Sequence, residues 1–192
     1  DDATANLLPL TLATSEGRLF FHNEQTLVAT DAKTGETVWQ ADRPVSLDRY
    51  AWSSPTLVVS DGVVLSGDRT AEEMMDFGER EGRTPRWLVS SGHDLFGGEI
   101  VAFSAETGEE LWTVPCHESF NAPVDVFVAR GQVWSGEVAW TPQEGITQVY
   151  DLKTGEVVSK RPPDSEFGRF GHHRCYRAKA TVNYVLHSRR GI

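Results

Sequence analysis

The stretch Asp31-Ala32-Lys33-Thr34-Gly35-Glu36-Thr37-Val38-Trp39 comes back twice in this chain, and it constrains the fold more than any other feature. The second copy is Ser104-Ala105-Glu106-Thr107-Gly108-Glu109-Glu110-Leu111-Trp112, and the third is Asp151-Leu152-Lys153-Thr154-Gly155-Glu156-Val157-Val158-Ser159. Each copy follows a short apolar run, at 26–30, 99–103 and 147–150, and each leads into β-formers. In each, Thr-Gly closes a tight turn, with glycine taking the positive φ that a Cβ resists. Such a turn joins two antiparallel strands. Four residues past the glycine stands Trp39 or Trp112, large enough to wedge a hairpin against a neighbour, whereas the third copy has Ser159. Three copies of strand–turn–strand predict a repeat protein.

Charge and length narrow the function classes. The formal charge of −10 over 192 residues argues against a nucleic-acid footprint. It is unevenly placed: residues 160–192 carry +6 and the first 159 carry −16. No apolar run approaches the roughly 20 residues that span a bilayer. The first residues, Asp1-Asp2-Ala3-Thr4, do not resemble a signal peptide, and two cysteines do not define a redox compartment.

In chain order, the pattern predicts four blade-like units of antiparallel strands. The first covers 7–40, with a strand over 7–14, a turn at Glu16-Gly17 and a return over 18–22. The second covers 54–114 and turns at Asp61-Gly62, a direct hairpin signal between apolar runs. It carries an insertion over 68–97. There Thr70-Ala71-Glu72-Glu73 has capping-box spacing, Met74, Met75 and Phe77 suit a short helix, and Trp87 with Leu88 suits an anchor. The third covers 122–160 and turns at Arg130-Gly131, while the fourth, 178–192, is incomplete.

The repeated glycines are 73 and 47 residues apart, and removing the insertion leaves a period near the ~40–45 residues of a four-stranded propeller blade. No 3.6-residue stripe of the needed length separates the turns, which excludes helical repeats. A β-sandwich is the competing architecture. The expected fold is therefore an all-β propeller of about three blades plus the start of a fourth.

An apolar strand, Asp-Ala-Lys-Thr-Gly-Glu, and then a strand bearing Trp resembles the tryptophan-docking repeat of quinoprotein-like β-propellers, also called PQQ-binding-like. The matching residues are 26–39, 99–112 and 147–158. The resemblance implies a ring of seven or eight blades, of which this chain would form part, the remaining blades or another segment closing it. It also implies a periplasmic or extracellular location. The family holds both PQQ-dependent alcohol and sugar dehydrogenases and non-catalytic scaffolds, so it implies two functions. One is a binding or scaffold module for a small anionic ligand or a protein. The other is a dehydrogenase with PQQ across the channel and Ca²⁺ held by groups such as Glu118 and Asn121. Those dehydrogenases carry an adjacent cysteine pair, whereas Cys116 and Cys175 are isolated here.

Candidate site residues follow from propeller topology. Connectors from one blade's outer strand to the next blade's innermost strand emerge on one face, so their residues share a rim. Three connectors nominate Arg49, Tyr50 and Trp52; then Cys116, His117, Glu118 and Asn121; then His172, His173, Arg174, Cys175, Tyr176 and Arg177. Cations lining a low-dielectric funnel would gather anionic ligands, although a solvated basic face has the same composition. Cys116, His117, His173 and Cys175 have the residue types of a tetrahedral metal site. The cysteines could equally be a disulfide or two thiols. Tyr176 beside a histidine could act as acid and base in a polysaccharide lyase.

Overall fold

A computed structural model describes residues 7–8, 10–45, 54–69, 95–119, 124–136, 148–160, 179–181, 183 and 185–186. Among these, every regular element is a strand. Strands β1 (Ala13–Ser15), β2 (Arg18–His22), β3 (Thr26–Asp31) and β4 (Thr37–Asp42) form blade 1. Blade 2 is β5 (Thr56–Ser60), β6 (Val63–Arg69), β7 (Leu95–Ser104) and β8 (Glu110–Ser119). Blade 3 is β9 (Asp125–Ala129), β10 (Gln132–Gly136), β11 (Gln148–Asp151) and β12 (Val157–Lys160). Each blade is antiparallel, with strands adjacent in sequence adjacent in space. A fourth unit contributes the two-stranded pair β13 (Lys179–Ala180) and β14 (Val185–Leu186).

Two turns at one end of every blade set its shape. The inner turns Glu16-Gly17, Asp61-Gly62 and Arg130-Gly131 have positive φ at both residues. That is the conformation which matches the twist of a two-residue hairpin. The outer turns are the repeated stretches, whose glycines have φ of 75°, 76° and 71° at Gly35, Gly108 and Gly155. The two turns are tied together identically in each blade. Ala32 donates its N–H to Gly17 O, Ala105 to Gly62 O and Leu152 to Gly131 O, at 2.8, 2.9 and 2.9 Å. Just before each outer turn the pairing slips by one residue, at Ala29/Thr30, Ala102/Phe103 and Val149/Tyr150. Such a bulge bends the strand and aims the side chains that follow.

Asp31 and Asp151 brace their turns by accepting two backbone N–H groups each, from residues 33 and 34 and from residues 153 and 154. Those bonds, first from Thr34 and from Thr154, hold both carboxyls below the usual aspartate range. A lowered folded-state pKa means stability that is present at neutral pH and lost as acid protonates the folded carboxylates. Asp31→Asn and Asp151→Asn together are expected to flatten the acid limb of the pH–stability curve, read by thermal melts below pH 5. Ser104 occupies the same place in blade 2 without a charge and accepts one bond, from Thr107 N at 3.2 Å.

The core lies between the blades. Phe20, Leu27, Ala29 and Trp39 of blade 1 meet Val64, Val101, Phe103 and Ala105 of blade 2. On the other face of blade 2, Leu65, Ile100, Ala102, Trp112, Val114 and Cys116 meet Val124, Val126, Val133, Tyr150 and Leu152 of blade 3. Strands β6 and β7 are thus apolar on both faces, which explains their unbroken hydrophobic runs. The two tryptophans close these seams. Trp39 is 8% exposed and donates Nε1–H to Ala105 O at 3.0 Å, while Trp112 is 8% exposed and donates to Leu152 O at 3.0 Å.

Two sequence expectations need correction. The strand expected over 7–14 begins only at Ala13, because Leu10 takes a positive φ of 67° that breaks the extended run. Leu8 still bonds backward along blade 1, donating its N–H to His22 O at 2.8 Å. Cys116, His117 and Glu118, expected in a connector, are strand residues of β8, opposite Gly98, Gly97 and Phe96 of β7. The end of the insertion forms the start of β7 from Leu95, and its backbone groups pair with residues 116–119, which extends β8 past the expected start of the connector. Asp68 and Arg69, at the start of the insertion, are the last residues of β6, and residues 70–94, including Thr70–Glu73, Met74, Met75, Phe77, Trp87 and Leu88, lie outside the described residues.

Candidate functional site on the connector end of the blades

Opposite the turns, β4, β8 and β12 finish, and β5 and β9 begin, at a common end of the blades. The connectors therefore start and finish there. Of the nominated residues, Arg49, Tyr50, Trp52, Asn121, His172, His173, Arg174, Cys175, Tyr176 and Arg177 lie outside the described residues. Cys116 is described and buried between blades 2 and 3. His117 and Glu118 are described by their backbone pairing at the end of β8.

At the same end, the structure assembles a polar cluster that the motif analysis did not nominate. Arg43 follows β4 and is only 5% exposed. Its Nη1 pairs with Glu99 of β7, and its Nε–H donates to Ser66 Oγ of β6 at 3.1 Å. Its Nη2 lies 3.4 Å from the carbonyls of Ser66 and Glu99. Ser66 Oγ is also 3.0 Å from His22 Nε2, at the end of β2. Arg43 Nε–H can only donate, so Ser66 Oγ accepts it and keeps its own proton to give. With a neutral imidazole accepting at Nε2, every contact in the chain is a donor–acceptor match. His22 and Ser66 are both fully buried, so no substrate reaches this pair. The cluster is a clamp joining blade 1 to blade 2.

The next junction builds the same place differently. Counting eight residues past the repeated glycine gives Arg43 in blade 1 and Cys116 in blade 2; four past the inner-turn glycine gives Ser66 and Ser135. A thiol thus stands where the guanidinium stood. Ser135 Oγ is buried with no hydrogen-bond partner among the described residues. Burial pushes the Tyr150 hydroxyl pKa up, and neighbouring Cys116 adds to the shift. Tyr150 is held by Gln148 Oε1 and lies 3.5 Å from Pro115 O. A buried hydroxyl without a partner carries a desolvation penalty of roughly 1–3 kcal/mol, so Ser135→Ala is expected to be neutral or stabilising. Ser66→Ala, which removes a shared acceptor, is expected to destabilise by a similar amount, and paired urea titrations measure both. Aligning the repeats on both turns pairs these positions, but it does not signal the clamp, because the second junction holds a thiol where the first holds a guanidinium.

Among the described residues, no three His, Cys, Asp or Glu side chains gather to hold a metal ion. The one carboxylate of the clamp, Glu99, is committed to Arg43. The groups nominated for Ca²⁺, the Glu118 side chain and Asn121, lie outside the described residues.

Fold and junctions define a β-propeller of four-stranded blades in which tryptophans dock successive blades. The family model described as outer membrane protein assembly factor BamB matches residues 23–165, and the chain belongs to this family of PQQ-like repeat propellers. Over 142 residues it is 28% identical to outer membrane protein assembly factor BamB of Burkholderia pseudomallei (strain K96243), covering 69% of this chain and 36% of that protein. Crystalline BamB from Moraxella catarrhalis superposes with a TM-score of 0.51 at 16% identity, over 93% of this chain and 40% of that one. Quinohemoprotein alcohol dehydrogenase ADHIIG from Pseudomonas putida HK5 matches with a TM-score of 0.46 at 17% identity, over 80% of this chain and 27% of that one. The structural likenesses concern the fold alone. The chain spans well under half the length of these relatives.

Proposed function

We propose that the chain is a binding or scaffold module whose connector end offers a basic, aromatic rim to an anionic group, carried by a small ligand or by a protein partner. The observation that carries this reading is the common end at which the outer strands stop and the next inner strands start. Connectors bearing Arg49, Tyr50, Trp52, Asn121, His172, His173, Arg174, Tyr176 and Arg177 would converge there, beside His117 and Glu118. Membership of a family described as an outer membrane protein assembly factor supports a protein-binding scaffold over a dehydrogenase. It equally supports a periplasmic or outer-membrane-associated location. Among the described residues, no helix is long and apolar enough to cross a membrane. Further blades, or another segment closing a ring of seven or eight, are the structural partners in this reading.

The test titrates the whole chain with succinate and with an acidic peptide at low and high salt, followed by tryptophan fluorescence. Saturable binding that weakens with salt and is lost on Arg174→Ala/Arg177→Ala supports the rim. Binding unchanged in that variant, or none at all, overturns it. Dye-linked alcohol or sugar oxidation after addition of PQQ and Ca²⁺ would instead establish the dehydrogenase reading.

A further inference from the structure

The clamp between blades 1 and 2 matches its donors and acceptors in one protonation state. Ser66 Oγ accepts Arg43 Nε–H at 3.1 Å and gives its own proton to His22 Nε2 at 3.0 Å, so that nitrogen carries a lone pair and no proton. Two bonds through one oxygen hold Arg43 Nε and His22 Nε2 at most about 6 Å apart. Both His22 and Ser66 are fully buried and Arg43 is nearly so, so water screens little between them. The His22 backbone is held as well: its carbonyl accepts Leu8 N–H at 2.8 Å and its N–H donates to Thr11 Oγ1 at 3.1 Å. Neighbouring elements bring three charged groups to this seam. Arg43 comes from the chain after β4, and Glu99 of β7 is paired with it. Buried Asp68 of β6 lies two residues past Ser66, hence on the same face, and opposite Glu99 in the β6–β7 register. On the chain of His22 itself, Glu24 is half-buried. The carboxylates favour a charge on the imidazole, whereas Arg43 and burial oppose it. The order of donors and acceptors decides for the neutral ring, because a proton on Nε2 has no place in it.

We propose that this clamp is a proton-sensitive latch, closed while His22 is neutral and opened when a proton from solvent binds its Nε2. The new N–H replaces the lone pair, and the Ser66 O–H···Nε2 bond is lost. Ser66 Oγ then faces two cationic donors, and its own proton needs another acceptor. Two like charges held this close in a buried seam repel, and parting blade 1 from blade 2 relieves them. Arg43 and Val45 travel with blade 1, because their N–H groups are bonded to Gln25 O and Glu24 O at 2.9 and 3.0 Å. The latch thus sits at the root of the first connector, although it goes beyond the rim reading and stands without it. Among the described residues, the next junction has no counterpart. Five residues past the inner-turn glycine stands His22 in blade 1 but Gly67 in blade 2. There Val126 packs so closely that a Cβ on Gly67 would lie 3.2 Å from its Cγ2. Acid is therefore expected to open one seam and spare the other.

Histidine in an unfolded chain takes its proton near the ordinary value of about 6.5. A folded chain that resists the proton loses stability as pH falls below that value, by at most about tenfold in the folding constant per pH unit for one proton. Urea titrations of the whole chain between about pH 7.5 and 5.5 are compared with those of His22→Gln, whose amide does not titrate there. The difference between the two proteins cancels the other histidines. The expected result is a several-fold larger loss of folding constant in the wild type than in His22→Gln. Arg43→Met, which removes the second cation and leaves Ser66 and His22, should give a shallower slope than the wild type. Hydrogen exchange, corrected for the intrinsic effect of pH, should quicken in residues 18–22 and 41–45 at the lower pH, with residues 125–136 unchanged. In the two-bond ¹H–¹⁵N NMR spectrum of histidine-labelled protein, the His22 ring should be neutral at pH 7.5, with Nε2 unprotonated. Should His22→Gln not fold, that ring is identified as the one whose signals move in Arg43→Met. An imidazolium at pH 7.5, a slope in either variant equal to that of the wild type, or equal quickening of exchange at both seams overturns the latch.

Discussion

Truncating Trp112 to alanine is expected to cost about 3–5 kcal/mol, the range for removing a large buried aromatic. The physical basis is threefold. The indole fills the seam between blades 2 and 3 and covers Gly155. It also donates to Leu152 O, a bond made within the core. Trp39→Ala should fall in the same range but lower, because Ala105 O keeps a second donor. Arg18 Nη1 reaches that carbonyl at 2.6 Å, so it stays partnered when the indole is removed. Trp39 also packs against Phe20, with ring centroids 5.9 Å apart and planes tilted by 46°. That ring can relax into part of the space left behind. Trp→Phe at either position keeps most of the area and loses the N–H, so its cost isolates the hydrogen bond at about 1 kcal/mol. Urea titrations of the four variants check the order. Trp112→Ala proving milder than Trp39→Ala would contradict the assignment of Arg18 as the reserve donor.

The second large effect concerns the clamp. Glu99→Gln leaves the Arg43 guanidinium buried without its counter-charge, and breaking a buried pair in this way costs about 3–5 kcal/mol. The Glu99 side chain is 33% exposed against 6% for Arg43, so solvent screens part of the pair and the expected loss lies at the lower end. Arg43→Met behaves differently. It removes the charge together with the need for a partner, and Ser66 Oγ keeps His22. Replacing buried ionic groups by apolar ones of similar volume is often neutral, so Arg43→Met should cost much less than Glu99→Gln. The comparison is made at equal pH and salt by chemical denaturation. Equal losses would mean that Arg43 stabilises by its stem and hydrogen bonds rather than by its charge.

These two junctions show what repetition permits. The tryptophan contact recurs because it depends on a backbone shape, the glycine turn, which each unit rebuilds from local sequence. The clamp does not recur: Arg43 gives way to Cys116, and among the described residues Ser135 has no donor of the kind that Ser66 has. The geometry within each unit repeats, whereas the polar contacts between blades differ from one junction to the next.

The sequence by itself determined the strands, the turns and their repetition. Gly35, Gly108 and Gly155 could be read as left-handed turn residues because φ preference is a property of one residue and its immediate neighbours. The same local logic placed the three inner hairpins and pointed to Trp39 and Trp112 as wedges. The extent of β8 was not legible, since pairing through Ser119 depends on where the far end of a long insertion returns as β7. Nor was the clamp, whose members come from β2, β6, β7 and the segment after β4, separated by up to 77 residues between His22 and Glu99. Only the stacking of blade on blade brought that arginine, glutamate, serine and histidine within hydrogen-bond reach. Backbone conformation is a local choice written residue by residue, whereas a contact between blades exists only after distant surfaces have been buried against each other.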